Sequence, residues 1–199
     1  AIKTNKYFYW FTIPLILGFS FLSKQAPTAY MVLTISFFSI IYFVKKKKFQ
    51  GMFFAILGGL IFISVFIFYL YSNNINFNDF FTQYILFPRS LGETRLDWVF
   101  PLEFQRFVLR FKIHYLSIIV LIYIIINSFF VKERTLKIEN VLIILCLIFS
   151  CILFIFHQLM TINAIFIYCL IPIFSAFSHI YSNAILQKKY VNYFLISLT

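Results

Sequence analysis

Long apolar stretches alternate with short polar punctuation along nearly the whole chain, a pattern that predicts helices crossing a membrane. Crossing about 30 Å of hydrocarbon takes about 20 residues at 1.5 Å each. Runs of that order cover 7–22, 28–44, 52–71, 113–131, 140–156 and 162–181, with a further run opening near Tyr190. The expected architecture is all-α: a polytopic transmembrane helix bundle of about six to seven spans. There is no internal repeat, low-complexity segment or domain linker, so residues 1–199 read as a single transmembrane domain. Gly58 and Gly59, in the middle of the third run, predict close helix packing there.

One segment breaks the pattern. Residues 72–112 hold four of the five arginines and four of the six acids, interleaved with aromatic residues. Asn73, Asn74 and Asn76 mark a turn-rich start. Residues 77–87 place Phe80, Phe81, Tyr84, Ile85 and Phe87 around Asp79 and Gln83, which predicts a short interfacial helix capped by Asn78. Pro88 is expected to end it, and Arg89 to Asp97 to be irregular with a tight turn at Gly92. A second amphipathic helix is expected from Pro101 toward Lys112, with Glu103, Arg106 and Arg110 on one face. Two tight turns complete the scheme, one at Lys24 and one from His157 to Thr161.

Composition supports the membrane reading. The chain is 62% hydrophobic and 12% charged, whereas soluble domains carry about 25% charged residues. Its net charge of +11 is unevenly distributed. Lys3, Lys6, Lys45, Lys46, Lys47, Lys48, Lys132, Arg134, Lys137, Lys188 and Lys189 fall at alternate span ends, with only Glu133 and Glu139 among them. Lys24, Arg89, Arg95, Arg106, Arg110 and Lys112 fall at the other ends, with the remaining four acids. The positive-inside rule therefore assigns Lys45 to Lys48 to the cytoplasm and the 72–112 loop to the outside. Lysines that flank spans in short, separate loops do not form a nucleic-acid surface; they suit topology and anionic lipid.

Other function classes lose support on the same grounds. No glycine-rich phosphate loop, zinc spacing or nucleophile elbow is present. No acid lies within a predicted span, as proton-coupled transport would require. Cys146, Cys151 and Cys169 lack metal or redox spacing and read as small apolar residues. The chain opens on Ala1 directly ahead of a span, without a cleavable signal pattern, and reads as an internal piece of a larger protein.

The candidate chemistry lies on the external side. Lys24 is the one charged residue in its turn, and an ammonium there could snorkel or meet a lipid phosphate. Arg89 and Arg95 suit bidentate phosphate binding, but with Glu93 and Asp97 they could equally form an ion-pair network that folds the loop. Glu93, Asp97 or His157 could contact an acceptor or a divalent cation, and their spacing does not choose. Glu103, Arg106 and Arg110 suit a solvated helix face, and His114 an interfacial position.

Three segments resemble one family. Gly18-Phe19-Ser20-Phe21-Leu22-Ser23-Lys24-Gln25-Ala26-Pro27 is similar to the "G-L-x-F-L-T-K-G-P" stretch of C-type membrane glycosyltransferases, relatives of protein O-mannosyltransferases and of the aminoarabinose transferase of lipid A. Asn78, Asp79, Phe80 and Phe81, through Tyr84, Pro88 and Arg95, resemble that family's following external segment. Tyr168, Leu170 and Pro172 resemble its "Y-x-L-P" span. Gln25 stands where glycine is common, and Thr161 and Asn163 where a basic residue often precedes the last motif.

The resemblance implies transfer of a sugar from a polyprenyl-phosphate donor to a glycan, lipid or protein acceptor outside a bacterial inner membrane. It carries Lys24 over as a donor-phosphate contact, with Arg89 and Arg95 as further phosphate candidates. It places the catalytic aspartate in a loop upstream of Ala1, so no catalytic base and no resident cofactor or metal is assigned. Lys24 and Arg95 are expected to face one external cavity. The alternatives are an O-antigen-type polymerase or ligase and a polytopic transporter subunit.

Overall fold

The computed structural model describes residues 1–4, 6–100, 103–130, 136–161 and 165–185. All regular structure among them is helical. The chain divides into two compact units, residues 1–98 and 99–199.

In the first unit, α1 (Tyr7–Ser23), α2 (Gln25–Lys46) and α3 (Phe49–Ser72) form an up-down-up hairpin series. α1 packs most closely on α3, and glycine makes the approach possible. A Cβ at Gly58 would overlap the Phe11 carbonyl oxygen, and one at Gly18 would lie 2.6 Å from the Phe62 ring. At Gly59 the nearest atom, on Pro14, is 3.9 Å away. Of the two adjacent glycines, only Gly58 is required by packing.

The lysine-bearing end is locked by aromatic residues. Trp10 is buried against Tyr42 and Phe43, with ring centroids 5.6 and 4.5 Å away. Tyr7 stacks on Phe54 and donates a hydrogen bond to Gln50 Oε1. α2 ends where Lys47 adopts the left-handed conformation (φ 52°), allowing the Lys48 N–H to reach the Phe43 carbonyl at 3.1 Å. Lys45 and Lys46 lie in the last turn of α2, where cations meet the negative end of the helix dipole.

Beyond α3 the polar segment is more helical than its sequence predicts. Asn76, not Asn78, caps α4 (Phe77–Phe81), its side chain accepting from the Asn78 N–H at 2.9 Å. A π-helical turn, Thr82–Leu86, leads directly into α5 (Phe87–Val99). Pro88 therefore does not end the helix. A proline ring clashes with the carbonyl four residues back, and the widened turn opens the ladder at that place. Nor is the 89–97 stretch irregular: it lies within α5, and Gly92 takes no positive φ.

In the second unit, α6 (Phe104–Phe107) is four residues long and is followed by a 3-10 turn, Leu109–Phe111. This replaces the second amphipathic helix expected up to Lys112, so Glu103, Arg106 and Arg110 do not share one helix face. Pro101, where that helix was expected to begin, lies outside the described residues. α7 (Lys112–Phe130), α8 (Ile138–Thr161) and α9 (Leu170–Ile185) follow, α9 preceded by a 3-10 turn at Ile165–Cys169. α7 packs chiefly against α9. Leu121, Ile124, Ile144, Cys151, Ile155 and Phe174 are the centre of this unit's core.

Among the described residues four helical stretches are long and apolar enough to cross a membrane: Gln25–Lys46, Phe49–Ser72, Phe104–Phe130 and Ile138–Thr161. That is the build of a membrane protein. α1, at 17 residues, and the apolar stretch Ile167–Ser182 fall short of that length, so the count of six to seven spans rests on the sequence pattern. The run expected near Tyr190 lies outside the described residues, as do Lys132, Glu133 and Arg134.

Candidate functional site

Lys24 is the single residue between α1 and α2. Its backbone is extended (φ −148°, ψ 101°), its N–H donates to the Ser20 carbonyl at 2.9 Å, and its side chain is exposed. The Thr28 hydroxyl donates to the same Ser20 carbonyl at 3.2 Å, tying the two helices across the joint. Pro27 fits at this place because the first turn of a helix leaves its N–H groups without intrahelical acceptors.

An aromatic ladder joins this end of the unit to the polar segment. Phe19 meets Phe62 edge-on at 5.3 Å, and Phe62 stacks over Phe66 at 6.2 Å. Phe66 then meets Phe80 at 4.9 Å, and Phe80 stacks on Tyr84 at 4.8 Å. At the top the Tyr84 hydroxyl donates to the Leu22 carbonyl at 3.2 Å, two residues before Lys24. The polar segment is thus pinned beside the α1–α2 joint.

Phe80, Tyr84 and Pro88 recur every four residues as a half-buried stripe, with Ile85 beside it; further along α5 Arg95 is half-buried, and a Cβ at Gly92 would look onto open space. Asp79, Arg89, Glu93 and Asp97 are exposed. This separates the two arginines of the 89–97 stretch. Arg89 Nε donates to Glu93 Oε1 at 3.3 Å, an exposed i,i+4 pair of the kind worth little to stability. Arg95 is half-buried and, among the described residues, has no carboxylate partner. It also sits eleven residues beyond Tyr84, roughly 16 Å along a helix rising 1.5 Å per residue. The structure does not place Lys24 and Arg95 in one described cavity: the cavity of the first unit, between α1, α2 and α3, is lined by neither.

His157 belongs to the second unit. The turn expected from His157 to Thr161 is instead the last turn of an unbroken α8, and His157 and Gln158 are buried. Gln158 Nε2 donates to His157 Nδ1 at 3.2 Å, and the Thr161 hydroxyl donates to the His157 carbonyl at 3.0 Å. Asn163, grouped with them on the sequence, lies outside the described residues.

His114 is the polar residue that sequence reasoning underrated. It is fully buried rather than interfacial: Nε2 donates to the Ile167 carbonyl at 3.0 Å, and the ring meets Tyr168 at 5.0 Å. Tyr168 in turn places its hydroxyl 3.5 Å from the Arg110 carbonyl. No local signal could reveal this link, because 53 residues separate His114 from Ile167.

Among the described residues no three of His, Cys, Asp and Glu come together as a metal site. No protein-family model matches the chain, and neither does any curated protein or solved structure. Function must therefore be argued from the residues themselves.

Proposed function

We propose that this chain works as an integral membrane glycosyltransferase, moving a sugar from a polyprenyl-phosphate donor to an acceptor outside the cytoplasm. The observation that carries the reading is the Tyr84–Leu22 hydrogen bond and the aromatic ladder beneath it, which hold a cation-bearing helix beside the Lys24 joint. The motif resemblance around Lys24, the polar segment and Tyr168 points the same way.

In such a transfer the bond between the sugar's anomeric carbon and the lipid-phosphate oxygen breaks. The acceptor oxygen bonds to that carbon, and its proton passes to a base. Negative charge grows on the departing phosphate, and a fixed cation lowers the barrier by meeting it. Lys24 supplies a mobile ammonium for that role. Arg95 supplies a guanidinium that has no carboxylate partner among the described residues, whereas Arg89 is engaged by Glu93. Asp97 and Glu93, exposed on the outer face of α5, are available to an acceptor. No residue of the chain is assigned as the base.

The test is sugar transfer by the full-length protein in membranes, with polyprenyl-phosphate sugars as donors. A lost charge-assisted hydrogen bond costs about 1.5–3 kcal/mol, so Lys24→Ala should lower kcat/KM for the donor about 10- to 100-fold. Unchanged turnover at limiting donor would remove Lys24 from the mechanism. Arg95, with no carboxylate partner among the described residues, would also suit an O-antigen-type polymerase or ligase handling a lipid pyrophosphate. A large loss in Arg95→Gln with a silent Lys24→Ala selects that second reading.

A further inference from the structure

α2 packs much less closely on α3 than α1 does, and a cavity of about 670 Å³ remains between the three helices. Pockets that take small organic ligands run from about 300 to 1,000 Å³, so there is room for a lipid chain. The lining is apolar, from Phe21 and Ala29 near the Lys24 joint to Trp10, Phe43 and Met52 at the opposite end, with Ser36 and Ser39 its only hydroxyls.

That opposite end is strongly basic. Phe43 lies two residues before Lys45, and Met52 four residues after Lys48. Lys45, Lys46 and Lys47 are exposed, and the left-handed Lys47 turns the chain so that four consecutive lysines cap the α2–α3 hairpin. Lys6 caps the start of α1, which the Trp10–Phe43 and Tyr7–Gln50 contacts place at the same end. The sequence around it is basic throughout: residues 1–78 contain seven lysines and no acid.

We propose that the α1–α2–α3 groove is a binding site for a membrane phospholipid with an anionic headgroup, one acyl chain lying in the cavity and the phosphate meeting the lysine turn. The two halves of the site match the two halves of such a lipid. Basic residues next to a span attract anionic headgroups, and an apolar cavity opening beside them accepts the chain. Lysines serving topology alone would need no cavity beside them. Its headgroup end, the lysine turn, lies at the other end of the helices from Lys24, while the apolar lining runs back to Phe21 and Ala29 beside that joint.

Native mass spectrometry of the full chain in detergent, with phosphatidylglycerol or phosphatidylcholine added, tests this. The wild type should retain phosphatidylglycerol at least about tenfold better than phosphatidylcholine, one 1.4 kcal/mol step in affinity. Replacing Lys45, Lys46, Lys47 and Lys48 together by Gln should abolish that preference, and Ser39→Phe should abolish retention with the lysines intact. Loss in the lysine variant alone means a polybasic surface without a groove site, and overturns the proposal. Loss in Ser39→Phe alone overturns the anionic-headgroup half, and loss in neither overturns the whole. A second measurement covers a Ser39→Phe protein that does not fold. In a Trp98→Phe background, brominated phosphatidylglycerol should quench Trp10 more than brominated phosphatidylcholine does; equal quenching overturns the site.

Discussion

Gly58 carries a packing role that its neighbour Gly59 does not share. Gly58 faces the Phe11 carbonyl at a distance no side chain tolerates, while Gly59 looks onto ordinary space. Gly58→Ala should therefore force α1 and α3 apart and cost on the order of 1–3 kcal/mol, as overpacking does. Gly59→Ala should be neutral or slightly stabilising, since alanine is the better helix former. Thermal or denaturant unfolding in detergent reads both, and equal effects would contradict the packing described. His114→Phe removes the donor to the Ile167 carbonyl and leaves a buried acceptor unsatisfied, at a cost of about 1–3 kcal/mol. The same unfolding measurement checks it, and an unchanged midpoint would mean that the Ile167 carbonyl finds another donor.

At the scale of elements, the decisive feature is the π-helical turn between α4 and α5. It accommodates Pro88 within a helical segment that the proline would otherwise end. Tyr84→Phe keeps the stacking on Phe80 but deletes the bond to Leu22, a loss of about 1 kcal/mol. Hydrogen exchange should rise in residues 77–86 and stay constant in α1. Exchange unchanged in both would show that the ladder alone holds the segment. The helical start, termination and amphipathic spacing here were only partly legible. Asn76 and Asn78 are both good caps by type, and which one serves depends on where the chain leaves α3. A proline signals a break from local sterics, and a widened turn that relieves those sterics has no simple residue signature.

For the whole molecule, the asymmetry of charge predicts that the two sides of the hairpins lie across the membrane from each other. Lys46→Cys and Gly92→Cys, in a background with the three native cysteines replaced by alanine, test this with a membrane-impermeant thiol reagent. Gly92 is suited to the change because an added Cβ meets nothing within 4 Å. The two cysteines should label from opposite faces of sealed vesicles, and labelling from the same face would overturn the assigned orientation. The sequence by itself determined the all-helical, membrane-crossing character and the separation of lysine-rich ends from the arginine-bearing segment. Both depend on run length, hydropathy and charge, which are local properties of the chain. Only the tertiary structure decided that Tyr84 reaches Leu22 and that His114 is buried under Tyr168. Those outcomes depend on helix phase and on contacts between residues up to 62 positions apart, where no pattern along the chain can anticipate which side chains meet.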